Sequence, residues 1–536
     1  MVILTTSIRR RAVALLACVA VLGVVASAQK TRGAIPEKPD DRTIAHVLNR
    51  LGFGAAPGDI ERVRRMGLSN YIEQQLDPSR IADDRVATKL ANLQTVMKTP
   101  QELAQQYFIP AMVERQAQQR QRTGEDPAMT PPNPPRPPTE AQRGERMMLL
   151  ELSQQKILRA VYSERQLEEV LVDFWFNHFN VFAGKGPTRL YVAEFERQAI
   201  RPHVLGRFRD LLQAAAESPA MLFYLDNWQS AAPMAAADTP RPGRGNVPSG
   251  LQNRRARGLN ENYARELMEL HTLGVDGGYI QADVQEVARA FTGWTISLPR
   301  QGGGFVFNPQ MHDSGEKRVL GKKIKAGGGK SDGEQVLDIL AAHPSTAKHI
   351  AMKLARRFVS DNPPPAVIDR AANRFRETKG NLREVVRTIV TSPEFFAPEA
   401  YRAKIKTPFE FVVSALRATG MDTVNVQPFV QSLRELGMPL YMCQPPTGYS
   451  DEAEAWVNTG ALLHRMNFAL ALTSGRMRTA RGASTARSEP SVLHDTIVAR
   501  VLAGDISQST RAMVAKASAE PQAAALVLGS PEFQKR

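Results

Sequence analysis

Cys443 is the only thiol a mature form of this chain would keep, and that limits what can hold it together. The sequence has two cysteines. The other, Cys18, lies in a stretch with the parts of a secretory signal. These are Arg9, Arg10 and Arg11, an uncharged apolar run from Ala12 to Val25, and the small residues Ala26-Ser27-Ala28. Cleavage after Ala28 would leave residues 29–536 secreted or periplasmic, with no internal disulfide. Such a chain relies on a large hydrophobic core, which this length can supply. The apolar run is short for a membrane span, so no transmembrane segment is expected in the mature form. Competing readings are an uncleaved anchor, a lipoprotein signal around Leu15-Leu16-Ala17-Cys18, and a twin-arginine signal. The apolar runs about Cys18 are in the wrong order for the second, and the third lacks a Phe after the arginines. Cys443 itself reads as a buried small apolar residue or as a nucleophile.

Loss of residues 1–28 lowers the formal charge of +15 by three. The remaining basic balance favours anionic surfaces, so an anionic cell-envelope polymer is the expected partner. No basic run interleaved with aromatics suggests nucleic-acid binding.

From about Thr43 onward, apolar residues recur at helical spacing. His46, Val47, Arg50 and Leu51 begin the pattern, and Gly52 and Gly54 stop it. Pro57-Gly58-Asp59 opens the next element, which runs through Ile60, Val63 and Met66 to Gly67. Further helices are predicted over 101–122, from Met147, across 164–225, over 260–273, from about Ala282 to Thr292, and after Gly329. Residues 123–141 carry too many prolines for helix or central strand. They read as a mobile, polyproline-type insertion within the domain. Residues 231–258, rich in Ala, Pro, Gly and Arg, read as a long loop. The one β signal is Phe305 to Ile324, with short apolar runs on either side of Asp313-Ser314-Gly315, which predicts a hairpin. Ser392-Pro393 and Ser530-Pro531 each supply an N-cap and a first helical residue. The expected fold is all-α: one large multi-helix domain over 29–536 with a small β-hairpin insertion.

Three segments can carry chemistry. Asp173 to Asn180 sets Asn177 and His178 among four aromatics, where an imidazole can serve as base, metal ligand or core hydrogen-bonding group. Leu259 to Gly274 is the densest. Asn260 is an N-cap candidate and Gly274 a stop. Asn262, Glu266 and Glu269 share one face with Arg265 beside them, while His271 lies at the edge of the apolar face. Two carboxylates one turn apart can share a proton or a metal. The competing reading is a buried salt-bridge network around Arg265. The third segment places His312 and Asp313 in the turn of the predicted hairpin, where a turn role competes with a ligand role. No nucleophile elbow, phosphate loop or dinucleotide fingerprint is present.

HVLNRLGFG, FWFNHFNVF, NENYARELMELHTLGVDGGYIQADVQEVARAFTGW, HDSGEK, KTPFEFVVSALRATG and PPTGY followed by Trp456 occur in this order. On these segments the chain resembles the bacterial domain of unknown function 1800 family. The resemblance implies an exported, largely helical protein. It also implies that Asn177, His178, Asn260 to Asn262, Arg265, Glu266, Glu269, His271, Trp294, His312 and Asp313 occupy family motif positions. It supplies no activity. The proline-rich insertion and the basic loop look like individual additions.

Two functions follow as expectations. One is a metal-assisted hydrolase of envelope or extracellular polymers, with Glu266 and Glu269 catalytic, His178, His271 and His312 as ligands, and a divalent metal as the candidate cofactor. The other is a non-catalytic envelope scaffold whose polar central helix is structural.

Overall fold

The Gln166–His178 helix shows why so large a core forms without a disulfide. Leu167, Val170, Leu171, Val172, Phe174, Trp175 and Phe176 are all buried. A helix apolar over most of its circumference must be surrounded, and this one packs against the helices Asp41–Leu51, Leu68–Leu76 and Glu140–Tyr162. The computed structural model describes residues 35–123, 137–232, 258–297, 299–422, 425–477 and 493–536. The candidate signal, most of the proline-rich insertion and most of the 231–258 loop lie outside the described residues.

Amphipathic helices build outward from this centre. Leu382–Val390 buries Leu382, Val385, Val386 and Ile389, one stripe at helical spacing, and its N-cap Asn381 accepts from the Glu384 amide. It packs with Pro344–Phe358 and Pro365–Glu377. At the C-terminal end, Glu520–Leu528 sits among Thr459–Thr473, Leu493–Arg500 and Gln508–Val514. Ser392 and Ser530 accept from the amides of Phe395 and Phe533, each followed by proline at the first helical position, as the sequence predicts. No helix among the described residues is long and apolar enough to cross a membrane.

The β structure differs from the expected hairpin. β1 (Trp294–Ile296) pairs antiparallel with β2 (Phe305–Phe307), and β3 (Lys317–Val319) with β4 (Lys322–Ile324). Residues 305–307 therefore find their partner upstream, and Asp313-Ser314-Gly315 closes no strand pair. The second pair turns through Leu320 (φ 49°) and Gly321 (φ 76°), the doubly left-handed turn that matches strand twist. The sequence favours Asp-Ser-Gly because those residues make a good turn by themselves, whereas Leu320 is a costly residue at positive φ. His312 and Asp313 are instead held by side-chain bonds described below.

Candidate active site

The helix Glu261–Met268 begins as its sequence predicts. Asn260 Oδ1 accepts from the Tyr263 amide at 3.0 Å, and its Nδ2 donates to the Leu225 carbonyl at 2.7 Å. Tyr263, Ala264, Leu267 and Met268 are buried. The helix then widens into a π turn over Glu269–Leu273. Thr272 Oγ1 donates back to the carbonyls of Leu267 and Met268, filling the widened turn. Such turns shift the helix register and recur at functional sites. Here the shift draws His271 fully inside, where a regular helix would have left it at the edge. Gly274 ends the turn at φ 84°, and a Cβ there would lie 3.0 Å from His349 Nδ1.

The two carboxylates stay half-buried. Glu269 accepts from the Tyr279 hydroxyl at 2.8 Å. Glu266 makes no hydrogen bond or ion pair among the described residues. Burial first, and then the charge of Glu269, raise its pKa above the usual carboxyl value. Arg265 turns away and donates to Gln281 Oε1 at 2.7 Å, so among the described residues no salt-bridge network forms around it. Asn262 is exposed.

Three histidines converge behind this face. His178 ends its helix buried against Trp175 and Phe179, with ring centroids 5.2 and 4.6 Å away. Its Nε2 donates to the His271 carbonyl at 3.1 Å, while its buried Nδ1 meets no partner among the described residues. The His271 ring lies 6.2 Å from it and the His349 ring 6.3 Å. Lys353, one turn beyond His349, completes the group. Burial and then the Lys353 charge hold His271 at about 3 and His349 at about 4, and push His178 well below its ordinary value. All three imidazoles are therefore neutral at physiological pH. Lys353 is itself lowered by burial, against the opposing pull of Asp451. Sequence reading missed His349 and Lys353 because they sit in KHIAMKLARRF, which reads as an ordinary basic amphipathic helix. Their i, i+4 spacing was the available signal.

A loop beyond the group is held by the aromatic segment. Asn177 Nδ2 donates to the Tyr449 carbonyl, and its Oδ1 accepts from the Tyr449 amide, both at 2.8 Å. Asn180 Nδ2 donates to the carbonyls of Cys443 and Pro445. Tyr224 donates to the Gln444 carbonyl at 2.5 Å. Burial raises the Tyr224 pKa, helped by Cys443 and Glu266. Cys443 is buried and its thiol pushed up to about 11, the state of an inert core residue rather than a nucleophile.

His312 and Asp313 belong elsewhere. The His312 nitrogens face the Thr292 carbonyl at 2.8 Å and Asp332 Oδ2 at 3.2 Å, and Lys317 Nζ donates to the same Asp332 oxygen at 2.7 Å. Asp313 pairs with Arg289 at 2.8 Å and accepts from the Gly315 amide. These groups tie the 308–317 loop to the helices Gln281–Ala290 and Lys330–Ala341 and share no contact with His178 or His271. The expected convergence of His312 with the other histidines is not met.

Residues 46–535 match the family model described as protein of unknown function (DUF1800). The chain belongs to this family. No curated protein and no solved structure matches it. In this DUF1800 chain the motif residues divide into two groups: one lines the Glu266–His271 face, and the other knots loops to the core. Neither is set for a metal. No group of three His, Cys, Asp or Glu among the described residues is arranged to hold one. Two imidazoles on one ion would bring their centroids to about 5 Å at ordinary bond lengths, closer than His178 lies to His271 or to His349, and His178 Nε2 already serves the His271 carbonyl.

Proposed function

We propose that this chain is an exported hydrolase acting on polymers of the cell envelope or its surroundings by acid–base catalysis, with Glu266 as the proton donor and Glu269 as the partner carboxylate. One observation carries the reading. Glu266 is half-buried, has no hydrogen-bonding or ionic partner among the described residues, and is biased towards its protonated form by burial and by Glu269 one turn away. A carboxyl whose pKa is raised beside a second carboxylate is the arrangement general acid catalysis uses. Tyr279 fixes Glu269, so one group is positioned and the other left available for a ligand. The neutral histidines behind the helix keep its inner side free of positive charge apart from Lys353. The export signal and the basic charge favour an anionic polymer as substrate.

The test is hydrolysis of purified envelope polymers by the wild type and by Glu266→Gln. Loss of hydrolysis with unchanged melting supports the acid role, since a half-exposed residue without partners contributes little to stability. A scaffold role is the second reading. It is favoured by the many motif side chains spent on main-chain anchoring, and polymer binding without hydrolysis, equal in wild type and variant, supports it instead.

A further inference from the structure

A cleft apart from the carboxylate face runs between two helices whose facing stripes share one spacing. Arg146, Leu149, Leu150 and Ser153 on Glu140–Tyr162 stand at i, i+3, i+4 and i+7, and so do Gln427, Val430, Gln431 and Arg434 on Gln427–Glu435. Residues at these intervals lie along one side of a helix. Both stripes line the cleft, whose volume is about 610 Å³. Glu266, Glu269 and the three histidines do not border it. The 439–442 segment completes the wall. Tyr441 is held there at φ 62°, a left-handed conformation that is costly for a residue with a Cβ. Its hydroxyl donates to the buried Glu196 at 2.7 Å, and its carbonyl accepts from the Ala183 amide at 3.0 Å. Its neighbours Leu440 and Met442 both line the cleft. Residues strained in this way gather at ligand sites.

The lining divides into an aliphatic part and a basic part. Leu149, Leu150, Val430, Leu440 and Met442 supply the first, and no aromatic ring among the described residues lines the cleft. Its one carboxylate, Glu145, is buried and already paired twice, with Arg115 and, at 2.9 Å, with Arg189. That pairing brings Arg189, itself a lining residue, to the turn that carries Arg146. The Nε of Arg189 is buried and meets no acceptor among the described residues. Arg146 and, on the opposite wall, Arg434 are exposed and make no ion pair or side-chain hydrogen bond among the described residues. Three guanidinium groups thus border the cleft, and the carboxylate beside them is already neutralised.

We propose that this cleft binds an aliphatic anion, an alkyl chain ending in a carboxylate or a phosphate, with its head at the arginines and its chain against Leu149, Leu150, Leu440 and Met442. The volume lies within the range of about 300–1,000 Å³ typical of small-molecule sites. The guanidinium fork suits either head group. The lining offers no aromatic face for a base or a sugar ring to stack on, and no unpaired carboxylate for a cation. Apolar burial supplies the affinity, and the arginines set the orientation. The site is independent of the chemistry at Glu266 and stands if that reading fails.

The test is calorimetric titration of the full chain with monomeric decanoate and decyl phosphate. Butanoate serves as the head without the chain, and decyltrimethylammonium as the chain with the opposite charge. The expected result is saturable binding of a decyl anion, one per chain, and the tighter of the two names the head group. Arg146→Glu combined with Arg434→Glu should weaken it by roughly tenfold or more. Both residues are exposed, so melting should change little. In crystals soaked with 10-bromodecanoate, the bromine should lie among Leu149, Leu440 and Met442. Absence of saturable binding overturns the proposal. Equal binding of decyltrimethylammonium overturns the role of the arginines, and butanoate binding as tightly as decanoate overturns that of the aliphatic wall. Unchanged affinity in the folded double variant, or a bromine elsewhere, removes the site. If the double variant does not fold, the bromine position in the wild type decides.

Discussion

Asn177→Ala probes how the loop beyond the histidines is held. The Asn177 amide makes two 2.8 Å bonds to the main chain of Tyr449, one given and one received. Each contributes about 1 kcal/mol net, and a buried group left without its partner costs about 1–3 kcal/mol. Tyr449 is half-buried, so water recovers part of that loss, and the sum comes to about 2–3 kcal/mol. Other anchors remain in the variant: Asn180 on Cys443 and Pro445, the Tyr449 hydroxyl on the Pro439 carbonyl, and Trp456 Nε1 on the Ser450 carbonyl. The loss should therefore appear as local opening. At tenfold per 1.4 kcal/mol, residues 444–452 should open roughly 30- to 150-fold more often. Native-state hydrogen exchange reads this directly, because the Tyr449 amide is one of the two donors. Global melting should move little in a chain of this size. Asn177→Asp keeps the acceptor for the Tyr449 amide but sets a carboxylate oxygen against its carbonyl, so it should also lose protection. Unchanged exchange over 444–452 in a folded Asn177→Ala protein would refute the reasoning, since the clamp would then contribute nothing.

Gly333→Ala would place a Cβ 2.6–2.8 Å from ring atoms of the fully buried Trp294. The helix-propensity gain of about 1 kcal/mol loses to overpacking of about 1–3 kcal/mol, so urea melts should show net destabilisation, and a stabilised variant contradicts the packing. Native protein at pH 8 should react with iodoacetamide at Cys443 roughly 100-fold more slowly than a free thiol, whereas rapid labelling would reopen a nucleophilic role. Burial alone would raise the pKa of Glu410, but Arg357 and Arg536 outweigh it and lower the pKa. Its stabilisation is thus present above the unfolded carboxyl value of about 4.3 and lost as pH falls towards the folded value. The acid limb of a stability–pH curve should flatten in Glu410→Gln, and an unchanged limb counts against the pairing.

The helices were legible where periodicity and caps agreed. Asn260, Ser392 and Ser530 cap as their neighbours predict, because capping depends only on residues within one turn. The π turn was not legible: Glu269–Leu273 carries no residue that forbids a regular helix, and its widening depends on Thr272 and on the packing of His271. The strand partners were not legible either, since 305–307 pairs with a segment whose β signal is only three residues long. Of the candidate site, the Glu266–Glu269 pair and the approach of His178 to His271 could be read from spacing and resemblance. The substitution of His349 for His312 could not. Both are histidines in polar surroundings, and only tertiary contacts decide which one comes near His178.

The loop from Cys443 to Ser450 is gripped almost wholly by its peptide groups. Asn177, Asn180, Tyr224 and Trp456 all bond to carbonyls or an amide in it, whatever side chains it carries. Gln444 and Thr447 meanwhile face solvent. The frame and the displayed residues are therefore uncoupled. An engineer could rewrite positions 444 and 447 to change what the protein meets at this face without loosening the mount, while a change at 177 or 180 would loosen the mount without altering any residue the loop presents.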